Sequence, residues 1–149
     1  MRVNVVNGFS EHPEGGNPAG VVYLNEELCL KEQNRHQDCD GEKPEHLTDE
    51  QMQQAAARLH FSETAFITRL NDRSFAIRYF TPAAEVPLCG HATIASFSYL
   101  YQKGVIGDGV YELVTTEAQL TVEVSEGIIW MEMDAPELQQ KLEPKMVQR

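Results

Sequence analysis

Residues 87 to 104 read PLCGHATIASFSYLYQKG. Between His91 and Lys103, the side chains of Ala92, Ile94, Ala95, Phe97, Tyr99, Leu100 and Tyr101 leave no wide polar face, and a helix that is apolar nearly all round is one that a domain buries. Gly104 stands where a left-handed C′ residue would close such a helix, with Lys103 favourably placed at the negative end of its dipole. The start of the helix is a different matter. Cys89 and His91 can exchange protons near neutral pH, and Gly90 between them leaves the backbone open to close approach. These residue types are poor choices for packing alone, so the helix start is a candidate site.

The segments around this helix read mostly as strands. VNVV (Val3–Val6) and GVVYL (Gly20–Leu24) are two, separated by the Gly/Pro-rich loop NGFSEHPEGGNPAG. TAFITRL (Thr64–Leu70) and RSFAIRYF (Arg73–Phe80) form a hairpin through a two-residue turn at Asn71 and Asp72, with Phe75, Ile77 and Tyr79 sharing one face. VYELVTT (Val110–Thr116), QLTVEVS (Gln119–Ser125) and IIWMEM (Ile128–Met133) follow, with turns at Glu117/Ala118 and Glu126/Gly127. A second helix begins at the capping-box pattern Thr48 to Gln51, flanked by the staple pair Leu47 and Met52. Its stripe of Met52, Ala55, Ala56 and Leu59 covers one face, which predicts a helix lying outside a sheet. The simplest architecture is α+β: a curled, mostly antiparallel, barrel-like sheet wrapped around the central apolar helix.

A chain of 149 residues with 42% apolar content can bury one core. Twelve Lys and Arg against 23 Asp and Glu give a net charge of −11 without any basic stripe, which argues against nucleic acid as a partner. Three cysteines, an odd number, fit a reducing compartment better than a disulfide framework. MRVNVVNGFS has no apolar run after Arg2, and no segment approaches the roughly 20 apolar residues of a membrane span, so a cytoplasmic protein with no membrane partner is expected. Residues 25–46 are polar and aperiodic and read as an exposed insertion; residues 136–149 read as a polar tail. The insertion carries Cys29, His36, Cys39 and His46, but no paired C-x-x-C closes a chelate, and a solvated loop is the stronger reading. No metal is assigned.

At the central helix the unpaired N–H groups and the positive dipole end would receive a substrate carboxylate, with Gly90 putting no Cβ in the way. The same field should favour a thiolate at Cys89 and a neutral imidazole at His91. Residue type alone leaves a second reading open, since a single buried Cys is usually inert and a single His near a helix end is often only hydrogen-bonded. Glu63, in FSETAFI between a helix and an apolar strand, is either a partly desolvated acid/base group or a solvent-facing Glu at a strand entrance.

Four segments together resemble a known family: GGNPAGVV (Gly15–Val22), LTDEQMQQAA (Leu47–Ala56), FSETAFI (Phe61–Ile67) and RYFTPAAEVPLCGHATIA (Arg78–Ala95) occur in the order found in the phenazine-biosynthesis isomerases, the PhzF-like proteins. The resemblance covers residues 1–135. It implies one lobe of a diaminopimelate-epimerase-like fold, in which two lobes enclose the active site, and an isomerase that moves a proton between carbon atoms of a small carboxylated substrate with no cofactor. Glu63 would carry the proton and His91 would assist, while Cys89, where the epimerase relatives have a catalytic thiol, would be a second acid/base group or a remnant. Asn17 in the G-N-P loop, with Gly90, Ala92 and Thr93 at the helix start, would contact the substrate. Two departures accompany the resemblance. The insertion is longer than the family leads one to expect, and the chain has about half the usual length, without the second lobe. One lobe offers a single face for proton transfer, so the expected partners are a separate C-terminal lobe or a second copy in a homodimer. A non-catalytic binding or oligomerisation module derived from the family is the alternative.

Overall fold

A computed structural model describes residues 1–10, 12, 14–25 and 46–133. The polar tail, and the insertion apart from Asn25 and His46, lie outside the described residues, and so do Cys29, His36 and Cys39. Strands β1 (Asn4–Gly8) and β2 (Asn17–Tyr23) precede helix α1 (Asp49–Leu59). Then come β3 (Thr64–Asn71), β4 (Ser74–Phe80), the short β5 (Glu85–Val86), helix α2 (Gly90–Gln102), β6 (Gly109–Val114), β7 (Gln119–Ser125) and β8 (Ile128–Met131). The eight strands among the described residues form one sheet in the order β1-β2-β3-β4-β6-β7-β8, with β5 paired to β4. The sheet curls into a half-barrel, and α2 lies in its concave face against β1, β2, β3 and β8.

The expected α+β architecture is the observed one, with a refinement in strand direction. β2 pairs with β3, and β4 with β6, in parallel. Each pair is joined across a helix, α1 for the first and α2 for the second, which is the connection that parallel strands need. β1 and β8 are the two ends of the sheet, and both touch α2.

Burial explains two kinds of strand sequence. In β2, β3 and β4 both faces are covered: Val21, Ala65, Ile67, Phe75, Ile77 and Tyr79 point to the α2 side, while Val22, Phe66 and Phe80 join Met52 and Ala56 beneath α1. These strands therefore read as nearly continuous apolar runs. β6 and β7 alternate instead, with Tyr111, Leu113, Val122 and Val124 buried and Val110, Glu112, Thr121 and Glu123 exposed. β8 continues that pattern, turning Ile129 and Met131 to the core and Ile128 and Trp130 to the outside.

The local signals act as their chemistry dictates. Thr48 caps α1 reciprocally with Gln51, its Oγ1 accepting from the Gln51 N–H at 3.2 Å and its own N–H donating to Gln51 Oε1 at 2.8 Å. Leu47 packs with Met52 in the same cluster. α2 ends in a Schellman motif: Gly104 has φ 71°, its N–H donates to the Tyr101 carbonyl, and the Val105 N–H reaches back to Leu100. The β7–β8 turn falls at Glu126 and Gly127, both with positive φ as a type I′ hairpin requires.

Several boundaries differ from expectation: β1 runs Asn4–Gly8 rather than Val3–Val6, β6 runs Gly109–Val114 rather than Val110–Thr116, and β8 stops at Met131 rather than Met133. β2 starts at Asn17 rather than Gly20, because Asn17, Pro18 and Ala19 pair with Gly8, Asn7 and Val6 of β1. Pro18 is tolerated there since the pairing of β2 with β3 begins only at Gly20, so the missing N–H has no partner to lose. The β3–β4 turn falls one residue later than expected, at Asp72 and Arg73, where Asn71 Oδ1 accepts from the Arg73 N–H at 2.8 Å and holds the corner.

Candidate active site

α2 begins at Gly90 with Cys89 as its N-cap residue in an extended conformation. The first helical turn is fastened from inside the core. Thr93 donates its backbone N–H to the Cys89 carbonyl at 3.0 Å and its hydroxyl to the same oxygen at 2.8 Å. The buried Tyr79 hydroxyl of β4 meets Thr93 Oγ1 at 2.6 Å. Burial pushes the Tyr79 phenol well above its ordinary pKa, so it remains a neutral hydrogen-bonding group. A continuous chain from β4 through Thr93 thus sets the position of Cys89.

Glu63 is fixed independently. It is the last residue before β3, and its carbonyl accepts from the Gly20 N–H at 3.1 Å, which extends the parallel β2–β3 pairing by one bond. Two separate elements, the start of β3 and the start of α2, therefore bring their side chains to one place.

His91 occupies the centre of that place. Its Nε2 lies 3.3 Å from Glu63 Oε2, and its Nδ1 lies 3.2 Å from Cys89 Sγ. The side chains are 12% exposed for His91 and 22% for Glu63, so the carboxylate and the imidazole are largely removed from water without being sealed in. Glu63 Oε2 and His91 Nε2 are buried atoms, and among the described residues neither makes a hydrogen bond; their contact does not have hydrogen-bond geometry. The imidazole spans a thiol and a carboxylate. When Nε2 carries the ring proton and faces Glu63, Nδ1 is free to accept the thiol proton.

The expected thiolate at Cys89 is corrected by the structure. Burial, the largest effect, pushes the thiol pKa up, and the negative charge of Glu63 pushes the same way. The N–H groups of Ala92 and His91 act in the opposite sense but are outweighed. Cys89 is therefore a thiol at neutral pH, able to give a proton rather than poised as an anion.

The other anticipated residues divide into two groups. Gly90 has open space where a side chain would stand, only the Met131 methyl lying near, at 3.9 Å from the position of a Cβ. Asn17 is exposed and stands opposite Gly8, the residue that packs against the helix start. Ala92 and Thr93 are fully buried, and the Thr93 hydroxyl is taken up by Cys89 and Tyr79. Gly8, Tyr79 and Met131 also shape the site, and no local signal singled them out. A Cβ on Gly8 would come within 2.8 Å of the His91 carbonyl oxygen, so only glycine lets β1 pass that close to the first turn of α2.

The sequence model of the family described as phenazine biosynthesis-like protein matches residues 6–146. An uncharacterized isomerase of Bacillus subtilis (strain 168), YfhB, is 36% identical over 119 residues, which cover 79% of this chain and 34% of that protein. A human phenazine biosynthesis-like domain-containing protein is 34% identical over 138 residues, covering 87% of this chain and 41% of its own length. The crystal structure of a Bacillus anthracis phenazine biosynthesis protein of the PhzF family superimposes with a TM-score of 0.64 at 30% identity, over 88% of this chain and 40% of that one. The chain thus spans roughly 34–41% of the length of these relatives.

Proposed function

This chain belongs to the phenazine biosynthesis-like protein family, and from that premise we propose that it supplies one acid/base face for cofactor-independent proton transfer between carbon atoms of a small carboxylated metabolite. Isomerase is the activity in the names of several relatives; the substrate class and the residue roles are our own reading. The observation that carries it is the 3.3 Å approach of Glu63 to His91 at the start of the buried helix.

In this reading the Glu63 carboxylate takes a proton from a substrate carbon and returns it to another. Between these two steps His91, in contact with Glu63 on one side and Cys89 on the other, takes the proton from the Glu63 carboxyl and returns one exchanged with solvent, while the Cys89 thiol stays neutral behind it. The substrate carboxylate approaches along the open side at Gly90, near the positive end of the α2 dipole, with Asn17 at its margin. The opposite face comes from a second lobe or a second copy of this chain.

The test is solvent deuterium exchange. Small aromatic and amino-acid carboxylates are incubated with the chain in D2O and followed by NMR. Incorporation that falls at least about a hundredfold in Glu63→Gln, the scale of a lost general acid/base group, supports the enzyme. Binding with no incorporation in the parent chain, at concentrations where light scattering shows it paired, overturns proton transfer and favours a binding module. Light scattering that finds only monomer at high concentration removes the second-copy version.

A further inference from the structure

We propose that Glu63, Cys89 and His91 form a binding site for a thiophilic divalent cation of the Zn2+ type, which would compete with substrate for the same residues. One ligand atom from each of the three side chains lies within 4.8 Å of the other two. They supply oxygen, sulfur and nitrogen, the donor set of zinc proteins.

The spacing is specific as well as close. Ligands at about 2.0–2.1 Å from a tetrahedral zinc stand roughly 3.3 Å apart for an oxygen–nitrogen pair, and Glu63 Oε2 and His91 Nε2 stand 3.3 Å apart. Those two atoms are also buried and make no hydrogen bond, an arrangement that burial penalises and that a cation between them would satisfy. Cys89 Sγ stands 3.2 Å from Nδ1, the other ring nitrogen, so the three-ligand site requires the thiol to turn away from Nδ1 toward the Nε2 side. Binding would form metal–oxygen, metal–nitrogen and metal–sulfur bonds, and the thiol proton would leave to solvent. The carboxylate and the thiolate then neutralise the divalent charge beside the neutral imidazole, and a fourth position is left for water.

The inference shares residues with the proposed proton transfer but does not depend on turnover, so the two fail separately. The probe is Co2+, whose bond to sulfur gives a charge-transfer absorption. The 149-residue chain, purified with chelator and then dialysed free of it, is titrated with Co2+. The expected result is one equivalent whose sulfur band is lost in Cys89→Ser and retained in Cys29→Ser and Cys39→Ser, with affinity at least about tenfold weaker in Glu63→Gln. A band that survives Cys89→Ser and disappears in the Cys29 or Cys39 variants overturns the proposal, as does the absence of any band. A second measurement needs no variant: Zn2+ should protect Cys89 from iodoacetamide in peptide mass spectrometry, and unprotected alkylation at saturating Zn2+ also overturns it.

Discussion

Replacing Gly8 by alanine tests whether the end of β1 is held against the start of α2 as tightly as the coordinates show. The new Cβ would lie 2.8 Å from the His91 carbonyl oxygen, where ordinary contact begins at 3.4 Å, a shortfall of 3.4 − 2.8 = 0.6 Å. The obstructing atom is helix backbone and cannot swing aside, so the strand or the helix must shift. Overpacking of this kind costs about 1–3 kcal/mol. Alanine recovers about 0.4–1 kcal/mol by restricting the unfolded chain, and the middle of the two ranges leaves a net loss of roughly 1.3 kcal/mol. With a urea slope of about 2 kcal/mol/M the midpoint should fall by about 0.5–1 M. Gly107→Ala is the control, because a Cβ there meets nothing within 4 Å and no positive φ restricts it; its midpoint should hold or rise slightly. A Gly8→Ala midpoint equal to or above that of the parent, in two-state urea unfolding followed by circular dichroism, refutes the close approach.

Thr93→Val should destabilise the fold by about 1–3 kcal/mol in thermal unfolding, because it leaves the buried Tyr79 hydroxyl without its partner; Tyr79→Phe should cost less, since the Thr93 hydroxyl keeps its bond to Cys89, and the reverse ranking would contradict the chain of contacts described. Cys89 should react with iodoacetamide at pH 7.5 more slowly than glutathione does, because burial raises its thiol pKa; faster modification, read by mass spectrometry, would restore the thiolate expectation. Asp49, exposed at the start of α1, is held below its ordinary pKa first by the hydrogen bond from the Arg78 guanidinium and then by its charge. A depressed carboxyl favours the folded state above the unfolded value of about 3.9 and loses that contribution as pH falls through the lower folded value. Asp49→Asn should therefore flatten stability against pH below about 4, and an unchanged acid limb would dismiss the contact.

The reading of PLCGHATIASFSYLYQKG as a buried rod needed only its composition around the helix, and the structure buries Ala92, Ala95, Phe97, Tyr99 and Leu100 accordingly. The capping box at Thr48 and the turn at Glu126 and Gly127 were equally legible, because caps and tight turns depend on residues next to one another. Strand direction was not. Whether β3 runs with or against β2 is decided by where α1 returns the chain, and neither strand's own pattern records it. The site was half legible. His91 stands out by residue type at the helix start, and Glu63 gains its role only from the family resemblance, but their approach depends on β2, β3 and α2 meeting. The thiol direction was misread because the helix dipole is visible in a sequence whereas burial by distant strands is not. Gly8 gave no signal, since the carbonyl it must avoid is 83 positions away in the chain (91 − 8).

Trp130 is the sole tryptophan of the chain. It is 63% exposed on the outer face of β8, and its neighbour Met131 turns inward to Gly90 at the helix start. Anything that settles at Gly90 and displaces the Met131 methyl changes the packing of the residue next to this indole. The chain thus carries its one indole fluorophore a single residue away from a side chain that touches the helix start, and its emission offers a label-free readout of a disturbance there.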